Sequence, residues 1–414
     1  MSFSEWREVK VSEIGKIVTG KTPKTAISEN YGGNIPFLTP SDDMNIKKVK
    51  STARTLSEMG LNSVKNCLLP AKSICVSCIG SVLGKVVLTS EPTVTNQQIN
   101  SIVPDEKFDP DFIYYGMTIL GKHLNYLSKT STAVPIINKT TFSNFSIIVP
   151  TIEEQKAIAH ILSTLDDKIE VNNQINKTLE NMAQVIFKQW FVDFEFPNED
   201  GEPYKSSGGE MVESELGMIP KGWEVVELNK LAKLTMGLSP KSESYNTDYI
   251  GTPLLNGAAD FNNGLIKANK FTTQPTRICE KGDLVFCIRA TIGNITFADQ
   301  EFCLGRGVAA LKPLSGSYIG LIYFNLDMAM ERLKANATGS VILGLSKPDI
   351  NNLKIILPSE DILNRFSEIS NNILNFKHNF EREIGELIDI RDSLLPKLMS
   401  GEIRVPLDSE GDAS

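Results

Sequence analysis

Trp6-Arg7-Glu8-Val9 returns 217 residues later as Trp223-Glu224-Val225-Val226, and Thr19-Gly20-Lys21-Thr22-Pro23 returns as Met236-Gly237-Leu238-Ser239-Pro240. Asn34-Ile35-Pro36-Phe37-Leu38 comes back in register as Gly251-Thr252-Pro253-Leu254-Leu255. With a small shift, Cys78-Ile79-Gly80-Ser81-Val82-Leu83-Gly84-Lys85-Val86 faces Cys287-Ile288-Arg289-Ala290-Thr291-Ile292-Gly293-Asn294-Ile295, and Ser146-Ile147-Ile148-Val149-Pro150 faces Lys354-Ile355-Ile356-Leu357-Pro358. Both copies then run into a long helical stretch. The repeated unit is a globular module followed by a helix, and a two-copy period of this length fits neither a solenoid nor a propeller. It predicts internal pseudo-two-fold symmetry, which suits a target that is itself roughly two-fold.

Within each module, short β-like runs are punctuated by Gly, Pro, Asn and Ser, with helical stretches around 111–127 and 319–334. This texture predicts a mixed α/β (α+β) module. After Pro150 the texture changes. A heptad seam runs through Ile158, Leu162, Leu165, Ile169, Asn172, Asn176, Leu179, Ala183, Ile186 and Trp190. The second copy gives Ile362, Phe366, Ile369, Ile373, Phe376, Phe380, Glu383, Leu387, Ile390 and Leu394. Alternating steps of four and three mark a coiled coil. Two helices of about 38 residues, each about 57 Å long at 1.5 Å per residue, are predicted to pack on each other. The expected boundaries are a first module at 1–150, a helix at 151–196, a flexible connection at 197–220, a second module at 221–358, a helix at 359–400 and a tail at 401–414.

The 414 residues suffice for two or three domains, and 41% hydrophobic with 22% charged content is ordinary for a soluble protein. No run has the apolar length of a membrane span, and Met1-Ser2-Phe3-Ser4-Glu5-Trp6 lacks a signal-peptide pattern, so the expected location is cytoplasmic. Net charge is −8 but unevenly spread. Residues 1–150 hold 16 Lys+Arg against 12 Asp+Glu, and 221–358 hold 15 against 12. Residues 151–220 hold 5 against 14, and 359–414 hold 6 against 12. Mildly basic modules can take a polyanion while acidic helices face something else, such as a protein.

Gly15-Lys16-Ile17-Val18-Thr19-Gly20-Lys21-Thr22 satisfies the phosphate-loop pattern G-x-x-x-x-G-K-[ST]. That loop needs a buried strand before it and a helix after it, whereas here Trp6 to Glu13 is charged and Pro23 follows at once. The sister copy keeps only Gly237-Leu238-Ser239-Pro240, so the shared feature is a Gly-x-[ST]-Pro turn. Asn34-Ile35-Pro36-Phe37 is one residue from the base-holding loop of adenine methyltransferases, but it reads better as a strand beginning near a proline. Cys75-Val76-Ser77-Cys78 has zinc-knuckle spacing without a second knuckle, and reads as small residues on a buried strand. Three histidines and no visible triad or carboxylate pair predict no catalytic site and no metal.

In order along the chain, the repeats are joined by Asn96-Gln97-Gln98, Asn138-Lys139, Glu154-Gln155-Lys156-Ala157-Ile158, Leu165-Asp166-Asp167-Lys168-Ile169, Phe187-Lys188-Gln189-Trp190-Phe191-Val192-Asp193-Phe194 and Arg391-Asp392-Ser393-Leu394-Leu395-Pro396-Lys397-Leu398-Met399-Ser400-Gly401. Over essentially its whole length the chain resembles the DNA specificity subunits of type I restriction–modification systems. The second copy departs from the pattern, with Ser359-Glu360-Asp361 at its helix start and Cys303-Leu304-Gly305-Arg306-Gly307 for the Asn-Gln-Gln segment.

The resemblance implies a non-catalytic, host-defence protein with two tandem target-recognition domains. Each would read one half of a split DNA site, and two long antiparallel coiled-coil helices would separate them. It further implies two adenine-methylating subunits that use S-adenosylmethionine and dock on the helical regions, and ATP-driven restriction subunits that join them. This chain itself would hold no cofactor. Expected DNA contacts are Lys21, Lys24, Lys85, Lys129, Thr130 and Lys139 in the first module, and Lys241, Arg289, Asn294, Arg306, Lys334 and Lys347 in the second. Arg289 and Arg306 suit guanine, because a guanidinium fork matches O6 and N7. Phe187, Trp190, Phe191, Phe194, Leu394, Leu395 and Leu398 mark the helix ends as either core or partner-docking residues. The alternatives are a self-contained methyltransferase or nucleotide-hydrolysing enzyme, and a coiled-coil scaffold that never touches DNA.

Overall fold

The computed structural model describes residues 6–80, 83–130, 136–262, 264–336 and 344–406. The chain forms two compact units, Met1–Ile169 with Leu387–Ser414, and 170–386. Four long helices are labelled α1 (Pro110–Thr130), α2 (Ile152–Phe191), α3 (Ile319–Asn336) and α4 (Glu360–Ser400).

In the first unit a five-stranded sheet runs in the order Gly15–Thr19, Ile99–Pro104, Ile74–Ser77, Val86–Thr89, Lys48–Val49. Its central strand Ile74–Ser77 is buried throughout because both faces are covered. Side chains alternate across a strand, so Ile74 and Val76 enter the core beneath α1, with Phe112 and Met117, while Cys75 joins Val18, Leu38 and Val87 on the other face. A second sheet, Thr55–Leu56, Tyr31–Leu38, Thr93–Thr95, Leu68–Leu69, completes the module. Pro110 occupies the first turn of α1, and the Asp109 carboxylate accepts the Phe112 N–H at 2.9 Å, a normal N-terminal arrangement. The start of α2 and the end of α4 share this core through Ile158, Leu162, Leu395, Leu398 and Met399. Arg391 meets Asp166 at 2.8 Å and Arg404 meets Glu154 at 2.6 Å, so the two segments run in opposite directions.

The second unit repeats the plan, with a sheet ordered Ala232–Met236, Val308–Pro313, Leu284–Cys287, Gly293–Phe297 under α3. Here residues 170–191 and 360–386 also run oppositely. Asn172 Nδ2 donates to Glu383 Oε2 at 2.9 Å, and the Phe191 and Phe366 rings lie 4.7 Å apart. The repeat extends to single hydrogen bonds. Val11 N donates to Phe145 O as Leu228 N does to Leu353 O, and Gly20 N to Ile99 O as Gly237 N to Val308 O. Cys78 N donates to Gln98 O as Ile288 N does to Gly307 O. This last match shifts the alignment by one residue, pairing Cys78 with Ile288 and Ile79 with Arg289; Ile79 and Arg289 each form an equivalent isolated bridge, to Ile136 and Gly344.

The expected α2 seam is buried or half-buried along its length, and the α4 seam holds in part: Ile362 and Phe366 are buried, and Ile373, Phe380, Glu383, Leu387 and Leu394 are half-buried. A neighbouring stripe, Leu363, Ser367, Ser370, Leu374, Lys377, Glu381 and Ile384, is buried or half-buried as well. Ile369, Phe376 and Ile390 stay exposed at 36%, 59% and 47%. The reason is that α4 is also covered by the module helix α3, which comes so close at Gly320 that a Cβ there would sit 2.1 Å from Ser370 Oγ. Small and paired polar residues serve that contact, and an apolar pattern passes over them. The connection read as flexible is structured: Met211–Ser214 pairs with Gly217–Pro220, and Phe196 stacks between Tyr204 and Trp223. Beyond α4, Arg404 packs on Trp6 at 5.4 Å from the ring centre. Of the expected tail, residues 407–414 lie outside the described residues.

Candidate nucleic-acid interface

In the first unit, the loops that follow Gly15–Thr19 and Ile74–Ser77 and the loop that precedes Ile99–Pro104 emerge at one end of the sheet, because these strands are antiparallel neighbours. Lys21 N donates to Thr95 O at 2.9 Å and Asn96 N to Leu38 O at 3.1 Å. The Thr22 hydroxyl donates to Gln97 Oε1 at 2.7 Å. Gly20 is required by this approach, since a Cβ would lie 2.2 Å from Asn96 O and 2.3 Å from Thr95 O.

The second unit builds the same frame. Leu238 N donates to Leu304 O at 2.8 Å and Gly305 N to Leu255 O at 2.7 Å, and Arg306 N donates to Ser239 Oγ at 3.3 Å. A Cβ on Gly237 would lie 2.0 Å from Gly305 O. Tyr31 and Tyr245 each donate a phenol hydrogen bond to the proline carbonyl of the turn, Pro23 at 3.0 Å and Pro240 at 3.2 Å. The phosphate-loop likeness ends here: Gly15–Thr19 is a strand, and no helix follows Gly20 directly.

On this common frame the side chains divide into two sets. Lys24 matches Lys241 and Lys139 matches Lys347, all exposed. Lys21 faces Leu238, Gln97 faces Arg306, and Ile79 faces Arg289. Because Ile288 N bonds Gly307 O, exposed Arg289 and Arg306 stand side by side at the ends of adjacent strands. Asn294 is exposed in a left-handed turn with Ala290 (φ 59° and 52° for Ala290 and Asn294). Lys334 lies beside Gly293 and is neutralised by Glu331 at 2.7 Å. Lys241 has Glu243 at 3.8 Å.

In the first unit the candidates separate. Lys21, Lys24 and Lys139 belong to the loop end, whereas Lys85, bonded to Asn45, and Lys129 line a cleft beside α1. The side chain of Thr130 lies outside the described residues. Gln97 accompanies these candidates at the loop end and Lys122 in the cleft; the repeat itself signals Gln97, which holds the place of Arg306.

Burial pushes the Cys75 thiol up to about 12 and Cys78 to about 11, so neither is a ready thiolate ligand. Among the described residues no cluster of three His, Cys, Asp or Glu could hold a metal, and no helix is long and apolar enough to cross a membrane. Asn34-Ile35-Pro36-Phe37 lies within the strand Tyr31–Leu38. The helix-end residues lie in the cores of their units, one of the two roles expected for them. Phe187, Trp190, Phe191 and Phe194 are 3–8% exposed inside the second unit's core. Leu395 and Leu398 are buried and Leu394 half-buried in the first. On the two long helices of the second unit, large apolar side chains that face solvent include Val171, Met182 and Val185 on α2, and Ile369 and Phe376 on α4.

The family model described as type I restriction modification DNA specificity domain matches residues 3–181 and 220–386, once over each module and its helix. The chain belongs to this family. The MjaIX specificity subunit of Methanocaldococcus jannaschii is 29% identical over 423 residues, covering 97% of this chain and 94% of that protein. The HindI specificity subunit of Haemophilus influenzae is 38% identical over 188 residues, covering 44% of this chain and 40% of that one. The crystal structure of a type I system S subunit from M. genitalium shares the fold, with a TM-score of 0.63 at 17% identity over 95% of this chain and 96% of that chain. The function of this specificity-family chain is DNA specificity in a type I restriction–modification system. Its tandem modules each carry the same loop frame with different exposed side chains.

Proposed function

We propose that each module reads one half of a bipartite DNA site, and that the two long helices form an antiparallel coiled coil relating the readers by a pseudo-two-fold axis. Reading of this kind takes affinity from phosphate contacts and sequence choice from groove-facing side chains. The observation that carries it is the shared loop frame: its backbone bonds are the same in both units while Lys21, Gln97 and Ile79 are exchanged for Leu238, Arg306 and Arg289. A scaffold held constant under variable side chains is what one protein needs to read two different half-sites. Half-sites on one face of B-DNA lie about 34 Å apart per turn, and a helix of about 40 residues, about 60 Å, spans that distance.

Under this proposal the chain is non-catalytic and cytoplasmic. Two methyltransferase subunits holding S-adenosylmethionine dock on the exposed apolar faces of the helices, and ATP-dependent restriction subunits join them. The test exchanges residues 1–150 for the first module of another specificity subunit and sequences methylated adenines in cells carrying the complex. One half-site changes and the other stays; if both or neither change, the two-reader proposal fails. Binding of S-adenosylmethionine or ATP by the chain alone in calorimetry would favour the enzyme alternative instead.

A further inference from the structure

A cleft of about 580 Å³ in the first unit lies between the Leu83–Val86 segment, α1 and the nearby parts of α2 and α4. Four cations line it: Lys85, Lys122, Lys129 and Arg391. Its two acids are already engaged, because Arg391 reaches Asp166 at 2.8 Å and Asp392 at 2.9 Å, and Asp166 also accepts the Tyr115 hydroxyl at 2.5 Å. Among the described residues the three lysines have no counter-charge within ion-pair distance. Lys85 donates to the neutral amide oxygen of Asn45, and Lys122 and Lys129 are exposed with no ion pair among the described residues. One wall is rigid, since Gly84 and Gly121 pack backbone to backbone; a Cβ on either would lie 2.1 Å from the other's carbonyl oxygen.

The repeat supplies a contrast. In α3, Glu331 stands where α1 has Lys122, and it ties up Lys334 at 2.7 Å. The second unit therefore lacks the uncompensated charge at the equivalent place.

We propose that Lys85, Lys122 and Lys129 form a phosphodiester seat that holds the DNA backbone, independent of base sequence, on the first unit only. This rests on the DNA-reading role proposed above. The seat sets how firmly the duplex is held, while the loop end of the module selects the bases. A triphosphate has the same anionic chemistry and could come from a free nucleotide, so the two sources must be separated.

The test uses the full chain assembled with its methyltransferase subunits and measures duplex binding across a salt series. Each neutralised phosphate contact contributes about 0.9 to the slope of log K against log salt. Lys122→Ala and Lys129→Ala are each expected to flatten the slope by about 0.9, and the double variant by about 1.8. The loss should be the same on duplexes with and without the recognised site, and Lys122→Arg should restore it. Lys156→Ala, on the exposed face of α2, serves as the control and should leave the slope unchanged. Unchanged slopes in Lys122→Ala and Lys129→Ala while the wild type keeps salt-dependent binding would overturn the seat and leave the reading role standing. A loss confined to the recognised duplex would overturn it as well, and so would ATP binding by the wild type that these variants abolish with slopes unaltered. Absence of salt-dependent duplex binding by the wild type would remove the reading role itself.

Discussion

At the scale of single residues, Arg404 and Glu154 show how a charge is held where water is scarce. Glu154 has only 3% of its side chain exposed and receives Arg404 Nε at 2.6 Å and Nη2 at 3.0 Å, while the guanidinium lies over Trp6. Removing one partner of such a pair strands the other charge, which typically costs about 3–5 kcal/mol. Arg404→Ala is therefore expected to lower the stability of the first unit by that amount. Lys221→Ala, which breaks the exposed 2.8 Å pair with Glu210, should leave stability nearly unchanged, because solvent screens such a pair. Hydrogen exchange checks this: protection should fall in 6–169 for Arg404→Ala and stay unchanged throughout for Lys221→Ala. The sequence hides Arg404 because it lies past the end of the heptads, where composition reads as a tail. Gly20 was legible for the opposite reason, since its sister Gly237 survived while the lysine after it did not.

At the scale of an element, α4 carries a buried acid whose partners come from three directions. Glu381 is 9% exposed, faces Lys377 at 3.7 Å, lies near Glu180 of α2 and crowds Gly264 of the module. Burial, against the opposing pull of Lys377, pushes its carboxyl up to about 7. An acid raised in the folded state binds its proton more tightly there than in the unfolded chain, near 4.3. The stabilisation is complete below the unfolded value and disappears as pH rises through about 7. Between pH 5 and 8 the second unit is thus expected to lose on the order of 2 kcal/mol through this group. Glu381→Gln should remove that slope, as read by chemical unfolding at a series of pH values; an equal slope in the variant would rule the linkage out. Apolar periodicity found α2 and the existence of α4. It passed over the second buried stripe of α4 because Ser370 meets Gly320 and Lys377 meets Tyr323 of α3, while Glu381 lies against Gly264 and Glu180, tertiary contacts that no local pattern encodes.

At the scale of the whole molecule, the duplication made the module, its helix and their order legible, because each copy checks the other. It could not show which way the loop ends differ in chemistry until the hydrogen bonds aligned Gln97 with Arg306 and Ile79 with Arg289. The proposed two-fold arrangement has a consequence that a head-to-tail arrangement of the same modules lacks. In the first unit residue 154 meets 404 and 166 meets 391, and in the second 172 meets 383 and 180 meets 377, so each unit contains helix segments that run in opposite directions. If a single antiparallel rod carries both readers, two identical modules placed on it would face the duplex as mirror halves of a palindrome. A chimera with residues 221–358 replaced by a second copy of 1–150 is therefore expected to methylate an inverted repeat of the first half-site. Adenine methylation mapped in cells carrying the chimera and its methyltransferase decides the matter. An inverted repeat supports the two-fold relation, and a direct repeat of the half-site would show that the readers are related by translation instead.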